Sequence, residues 1–332
     1  MSLVKLLKAT QLPKEWDNFV GQNVYLKRDF LTFVEKTEQK EYSPQYYLFY
    51  DKDKLDSAFV CYKRKKYNLG MFTKVKLAIT VTLIYFPMCV TEKSIIIGKL
   101  KQEVLSEIKK IKGFKMVLNL PDSDMEDFAV GKTCPKCILQ LNFSSFEDYL
   151  KKLRSDYRNR YKKVLNKTKD FTIEYITSNE FTDQHYQMYL NTLNKSKIKI
   201  ETLSKEYFLG EHFVLFDIKH NGNPVGFIQL LPNGKELIFE FVGIDYRYNT
   251  DYPIYHRLLL EIVKYGIENK FSSIDFGQTA DEIKLKLGGN YVYLYAALHS
   301  SNKLINFLCK KIAPKIEYKP VTTKFNVFKE NL

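Results

Sequence analysis

The sequence predicts an α+β protein of mixed α/β sheets, built as two similar domains. Three observations predict it. The chain has 332 residues, and at roughly 100–200 residues per domain that length suits two domains. Hydrophobic residues make up 45% and charged residues 27%, enough to bury a sizeable core and to exclude wholesale disorder. The third is an order of elements that occurs twice, a β-hairpin followed by strand, helix and strand. The strand–helix–strand step is a crossover, so it makes two strands parallel beside an antiparallel hairpin.

In the first half, residues 28–36 (RDFLTFVEK) read as a helix, and strands follow at 46–50 and 58–62 around the turn DKDKLD. The longest apolar run is 77–90 (LAITVTLIYFPMCV). It is shorter than the ~20 residues of a membrane span, contains Pro87 and is β-branched, so it reads as a buried strand over 78–86. A helix from about 92 to 112, ended by Gly113, and a strand at 115–120 complete the half. In the second half, 182–194 is helical, and 213–218 and 225–231 are strands joined by the turn at 220–224. Pro232-Asn233-Gly234 is a hairpin signal before the strand 237–244. A helix over 254–269 and a strand over 272–276 close the repeat. The division is expected at residue 143, giving domains 1–143 and 144–332, with 125–136 as the exposed connection and 138–143 a strand.

The second domain opens on an unusual segment, 144–169, which the spacing predicts to be one long helix. Ser145 is its N-cap, with Asp148 at the third helical position. Phe146, Tyr149, Leu150, Leu153, Tyr157, Tyr161, Val164 and Leu165 recur at spacings of three and four, making one apolar face. The other positions from 151 to 169 carry nine basic residues against the single acid Asp156. Like charges four apart on a helix repel by a few tenths of a kcal/mol each, so this imbalance points to an anion-binding face, with Arg154, Arg158 and Lys162 off the apolar side. A solvated outer face is the plainer alternative.

The 52 Lys and Arg against 38 Asp and Glu leave a net charge of +14, which speaks to polyanionic partners and not to fold. Five cysteines, 61, 89, 134, 137 and 309, are too sparse for a disulfide framework and suit a reducing compartment. Residues 1–10 lack the apolar core of a secretory signal, and the expected location is the cytoplasm. Cys134-Pro135-Lys136-Cys137 is a lone C-x-x-C. It has no second ligand pair for structural zinc, and it precedes a strand rather than opening a helix as a redox motif would. No metal site is expected.

The segment 213–298 is the most specific. After the strand Phe239-Glu240-Phe241-Val242-Gly243-Ile244-Asp245 and a helix following Pro253, it ends on D-F-G-x-T-x-x-x-x-K-x-K-x-G-G from Asp275 to Gly289. This order and phrase resemble the GNAT acyltransferase superfamily, in particular its branch of tandem-domain Fem-type peptidoglycan peptidyltransferases. The basic segment 150–169 is similar to the helix opening the second domain of that branch. The likeness spans about 20–300 and is strongest over 145–290.

The resemblance implies two tandem GNAT-like domains joined by the basic helix. It implies transfer of an acyl or aminoacyl group from a phosphate-bearing donor, acyl-CoA or aminoacyl-tRNA, to an amine acceptor such as a cell-wall precursor, with no tightly bound cofactor. The amine would attack a carbonyl beside the strand 239–244, where the main chain of Phe241, Val242 and Gly243 could stabilise the oxyanion. Donor phosphates would rest at the start of the following helix, near Arg247, although 245–253 lacks the glycine loop usual there. Two alternatives follow, an acyl-CoA-dependent N-acetyltransferase with a degenerate phosphate loop, and a non-catalytic protein binding RNA or an anionic surface.

Glu240 is mid-strand, on a face that simple alternation shares with Val242 and Ile244, and is either a cleft base or an edge residue. His256 is a second candidate base or a structural histidine. Thr279 and Glu282 read as a capping box, and Gln278 and Thr279 stand at a helix start beside the donor. Lys284 and Lys286 are candidates for the donor's carbonyl or phosphate. Two apart on a helix, they point about 200° from each other, so only one can face a cleft.

Overall fold

The computed structural model describes residues 1–38, 42–68, 78–88, 95–196, 202–248, 250–313 and 317–329. Cys89, Asn249, the first residue of the apolar run at 77 and the start of an expected helix at 92–94 lie outside them. The strands in chain order are β1 (Ser2–Leu6), β2 (Gln45–Asp51), β3 (Lys54–Asn68), β4 (Ala78–Ile84), β5 (Ile95–Ile96), β6 (Phe114–Leu120), β7 (Ala129–Lys132), β8 (Lys136–Gln140), β9 (Phe171–Ile176), β10 (Val214–His220), β11 (Asn223–Asn233), β12 (Glu236–Ile244), β13 (Ser273–Asp275), β14 (Asn290–Val292) and β15 (Tyr295–Ser300). The helices are α1 (Trp16–Phe19), α2 (Arg28–Thr37), α3 (Lys101–Lys110), α4 (Phe146–Lys152), α5 (Ser155–Lys167), α6 (Asp183–Lys195), α7 (Ile254–Glu268), α8 (Asp281–Lys286) and α9 (Lys303–Ile312).

The chain forms two compact units, residues 1–135 with 293–320, and residues 136–292 with 321–332. Each holds one mixed sheet. The first has strand order β1-β2-β3-β4-β6-β15-β7, with β5 on β3; the second has β9-β10-β11-β12-β13-β8-β14. The repeated order of elements is visible in both. Four antiparallel strands lead to one parallel pair, β4 with β6 and β12 with β13. A helix makes each crossover, α3 and α7. The next strand in each sheet comes from the far side of the expected boundary at 143. β15 pairs antiparallel with β6, and β8 with β13. The connection expected over 125–136 is itself partly strand, since β7 pairs with β15.

Two helices differ from the sequence expectation. The helix expected from 92 begins at Lys101, because Ile95–Ile96 pairs with Ala58 and Phe59 of β3. The single basic helix over 144–169 is two helices, α4 and α5. Leu153 and Arg154 between them are extended, with ψ of 144° and 155°. The cause is the C-terminal segment. Leu153 bridges to Phe328, the Arg154 N–H donates to the Val327 carbonyl at 2.9 Å, and the Lys329 N–H donates to Lys152 at 3.0 Å. No glycine or proline marks this break, so local propensity could not show it. The expected cap holds, with the Asp148 N–H donating to Ser145 Oγ at 3.1 Å.

The apolar face survives the break. Phe146, Tyr149, Leu153, Tyr161 and Val164 are buried with Leu237, Phe239 and the inner side of α7, while Leu150, Tyr157 and Leu165 pack at the margin. This core covers one face of the second sheet. A smaller core in the first unit joins Phe49, Phe59, Ile84 and Val117 to Val104, Leu105 and Ile108 of α3.

Candidate active site

The second sheet opens along β12. Its parallel ladder with β13 runs from Glu236↔Ser273 to Ile238↔Asp275 and stops, while β12 continues to Ile244. Beyond Asp275 the chain bonds to β8 instead. The Phe276 N–H donates to the Cys137 carbonyl at 2.9 Å, and the Cys137 N–H donates to Gly277 at 3.2 Å. The Gly277 N–H turns back on Asp275 Oδ1 at 2.7 Å, with Gly277 at φ +69°. The two parallel strands therefore part, leaving one edge of 239–244 without a strand partner among the described residues.

A bulge sits at the start of this open stretch. Gln229 of β11 pairs with Phe241 and Leu230 pairs with Phe239, so Glu240 is the extra residue of β12. The bulge overturns the simple alternation expected for this strand. Phe239, Val242 and Ile244 face the core under α7. Phe241 instead packs on Tyr189, Tyr207 and Phe208. Gly243 lies under α6, where a Cβ would stand 2.1 Å from the Phe227 ring and 2.8 Å from the Tyr189 nitrogen.

Of the three main-chain candidates, one directs its N–H away from β11. The Asp245 N–H donates to Val225 of β11 at 2.9 Å, while the Ile244 N–H donates to Thr192 Oγ1 of α6 at 3.2 Å. Successive N–H groups of a strand point to opposite sides. Phe241 and Gly243 thus direct theirs to β11, and Val242 directs its N–H to the open edge.

Polar side chains converge on the face opposite α7. Burial and the nearby Asp275 raise the Glu240 carboxyl well above the ordinary glutamate range. Asp275 is fully buried, with Lys136 Nζ at 3.1 Å from its Oδ2. Gln229 lies between Ile228 and Leu230 of the core, so its side chain points to the Glu240 side. It is fully buried, and neither amide atom has a hydrogen-bond partner among the described residues. Sequence analysis missed Gln229; a glutamine in an otherwise apolar strand, VGFIQLL, was the available signal.

A groove of about 800 Å³ lies at the same end of the sheet, where the chain leaves Ile244 and enters α7. One stripe of α5 lines it, with Asp156, Arg160, Lys163 and Lys167 facing Asp251, Pro253 and His256. Pro253 is the N-cap of α7 rather than its first helical residue. It offers no side-chain cap, and no acid lies in the first turn. The Ile254 N–H donates to the Tyr252 carbonyl at 2.9 Å, and the positive end of the helix dipole meets three cations and the carboxylates of Asp156 and Asp251. Burial, then Arg160 and Lys286, lower the His256 pKa.

The expected anion set is placed differently. Arg154 Nε donates to the Phe328 carbonyl at 3.0 Å and Arg158 to the Leu153 carbonyl at 3.2 Å, so both brace the helix break. Lys162 is exposed outside the groove. Arg247 is bound to Asp245, its Nε 3.0 Å from Oδ1, rather than free for a phosphate. The Thr279–Glu282 capping box is absent. Thr279 and Ala280 both have positive φ, Ala280 is the N-cap without a side-chain bond, and Glu282 pairs with Lys286. Lys284 is buried and donates to the Gln278 carbonyl at 2.9 Å, which braces the turn after β13. Of the two lysines, Lys284 faces inward and Lys286 outward. Cys134 and Cys137 belong to different units, and burial pushes the Cys137 thiol up to about 12.

Comparison with known proteins accords with this geometry. Residues 151–291 match the model of the acetyltransferase (GNAT) domain family. Among solved structures, FemX superposes with a TM-score of 0.57 at 10% identity, covering 93% of this chain and all of its own. The N-myristoyltransferase of Saccharomyces cerevisiae, with bound myristoyl-CoA, gives 0.55 at 10% identity over 90% and 78% of the two chains. The C-terminal domain of a candidate lysylphosphatidylglycerol synthetase from Agrobacterium fabrum gives 0.53 at 9% identity over 86% and 91%. At such identities the likeness is one of fold. No curated protein sequence matches.

Proposed function

With residues 151–291 belonging to the GNAT superfamily and making the chain an acyltransferase, we propose that it transfers an acyl group from an acyl-CoA thioester to a primary amine at the opening of β12. One observation carries the reading. The strand that loses its partner is followed by the helix whose N-terminus has no side-chain cap and lies in a groove with Arg160, Lys163 and Lys167. A donor with pyrophosphate in that groove lays its acyl end along the open edge. That the N-myristoyltransferase of similar fold holds an acyl-CoA supports this choice of donor.

The residues then take these roles. The Val242 N–H stabilises the developing oxyanion, in the manner of a preorganised main-chain donor. Glu240 takes the proton from the attacking amine. Burial and Asp275 raise its pKa, the direction that makes a carboxylate a stronger base. Gln229 presents its amide to the acceptor, and Asp275 with Lys136 holds the strand junction. The acyl transfer is direct: the C–N bond forms as the thioester C–S bond breaks, CoA leaves as a thiolate that is protonated from solvent, and no cysteine takes part. Catalysis rests on position and on a polarised carbonyl.

Calorimetric titration with acetyl-CoA, a long-chain acyl-CoA and an aminoacyl-tRNA tests the reading. Saturable binding of a CoA thioester, weakened by Arg160→Glu, is the expected result. Binding of the charged tRNA alone would transfer the reading to aminoacyl transfer at the same opening, and binding of neither would sink it.

A further inference from the structure

α9 is amphipathic in the wrong sense for a helix of a globular surface. Its sequence KLINFLCKKI has no buried residue. The positions turned inward are polar or small. Asn302 caps the helix, accepting the N–H groups of Leu304 and Ile305 at 3.0 and 3.2 Å. Asn306 accepts the Ser300 N–H at 3.2 Å, and Ala313 is buried just past the helix end. The positions turned outward are apolar. Leu304, Phe307, Leu308 and Ile312, at spacings of three and four, with Ile305 beside them, are between 44% and 67% exposed. Among the described residues, twelve large hydrophobics are exposed, and five of them lie on this helix. A contiguous patch of that kind marks an interaction surface, whereas scattered exposed leucines do not.

Charge identifies what the patch meets. Lys303, Lys310 and Lys311 flank the apolar arc, the helix has no acid, and the chain carries +14 overall. Lys311 Nζ lies 4.5 Å from the centre of the Phe307 ring, so its stem lies along the apolar surface and its charge at the edge, as a snorkelling lysine does. A second copy of the chain would bring these same lysines against each other. An anionic bilayer instead accepts the apolar side chains at its acyl boundary and the lysines at its headgroups.

We propose that α9 docks the protein on the surface of an anionic lipid bilayer, lying in the interface plane. No helix among the described residues is long and apolar enough to cross a membrane, so this contact is peripheral. It is independent of the acyl-transfer reading, since it uses none of the residues assigned to the opening of β12.

The test is sedimentation of the full chain with vesicles of phosphatidylcholine alone and of equimolar phosphatidylcholine and phosphatidylglycerol. The protein is expected to pellet with the mixed vesicles and to remain free with phosphatidylcholine. In the triple variant Leu304→Ser, Phe307→Ser, Leu308→Ser, partitioning falls at least about tenfold. Circular dichroism should stay unchanged, because none of those side chains is buried. Lys303→Glu with Lys311→Glu lowers binding to the mixed vesicles as well. In a Phe307→Trp variant, emission should shift to the blue on adding mixed vesicles, while the native Trp16 is already buried. The proposal is overturned if wild type ignores the mixed vesicles, or if the triple variant binds as well as wild type, which would assign binding to charge elsewhere. Unshifted emission from the Phe307→Trp variant overturns it too, as does a solution dimer that the triple variant dissociates, which would make the patch a contact between copies.

Discussion

The two units share one topology and differ at the parallel strand pair and at the start of the helix that crosses it. In the first, β4 stays bonded to β6 up to its last residue, Ile84, which pairs with Val117. In the second, β12 runs six residues past its last partner in β13. The helices that follow differ in parallel. At the start of α3, the N–H groups of Lys99 and Leu100 each donate to the Asp56 carboxylate at 3.0 Å. Asp56 has some desolvation against it, yet these two N–H groups and the Ser57 hydroxyl hold its pKa below the usual range. The first unit thus places a carboxylate on the two residues just before α3, whereas the groove at the start of α7 brings three cations together with the carboxylates of Asp156 and Asp251. The same fold serves as a closed scaffold in one copy and an open cleft in the other.

The largest expected effect separates the units by chemistry. Glu240→Gln should lower kcat by about 10²–10⁴-fold, the range for a general base. In wild type kcat should rise with pH through a pKa above the glutamate range, and the variant should lose that rise. The stability sign is opposite. A carboxyl whose folded pKa is raised destabilises the fold once pH exceeds its unfolded pKa, so Glu240→Gln should melt higher than wild type at neutral pH. An unchanged kcat, or a lower melting point, would break the comparison.

Packing under the opening comes next. A Cβ at Gly243 meets the Phe227 ring and the Tyr189 backbone, so Gly243→Ala should cost about 1–3 kcal/mol by overpacking, read by denaturant unfolding. Within the groove, Arg160→Ala or Lys163→Ala should raise the donor KM about tenfold each, the loss of one hydrogen bond to a charged group. Arg154→Ala and Arg158→Ala should leave that KM unchanged, since both already bond to main-chain carbonyls; a reversed pattern would move the anion site to the helix break.

Asp56→Asn sharpens the contrast from the other unit. It should cost about 0.5–2 kcal/mol, as losing a helix cap does, while donor KM stays at the wild-type value. This stabilisation is present above the unfolded pKa of an aspartate and fades as pH falls through the lowered folded one. The smallest effect is expected of Cys137→Ser. Its thiol is buried and protonated, and kcat should change by less than about twofold for a group outside the chemistry. Loss of turnover in that variant alone would remove the acyl-transfer reading.

Much of the fold was legible in the sequence because it rests on local signals. The Ser145 cap, the Pro232-Asn233-Gly234 turn and the apolar spacing of α7 each act within a few residues. Pattern also located Glu240 and the helix start after Pro253. Glu240's face was misread because a bulge is a mismatch between two strands, and one strand's alternation cannot reveal it. Arg154, Arg158 and Arg247 read as free cations, yet carbonyls and Asp245 occupy them. Their neighbours, Arg160, Lys163 and Lys167, look identical by composition.

By itself, the sequence determined that the chain makes two mixed sheets with one crossover each, since hydrophobic period and turn chemistry are properties of short segments. Tertiary structure alone decided where the basic helix breaks, which strand each sheet borrows from across residue 143, and which sheet opens. Those outcomes depend on pairings between residues more than a hundred positions apart, such as Leu153 with Phe328 and Cys137 with Phe276. The partner sets the backbone's hydrogen bonds there, and a single segment does not contain its partner.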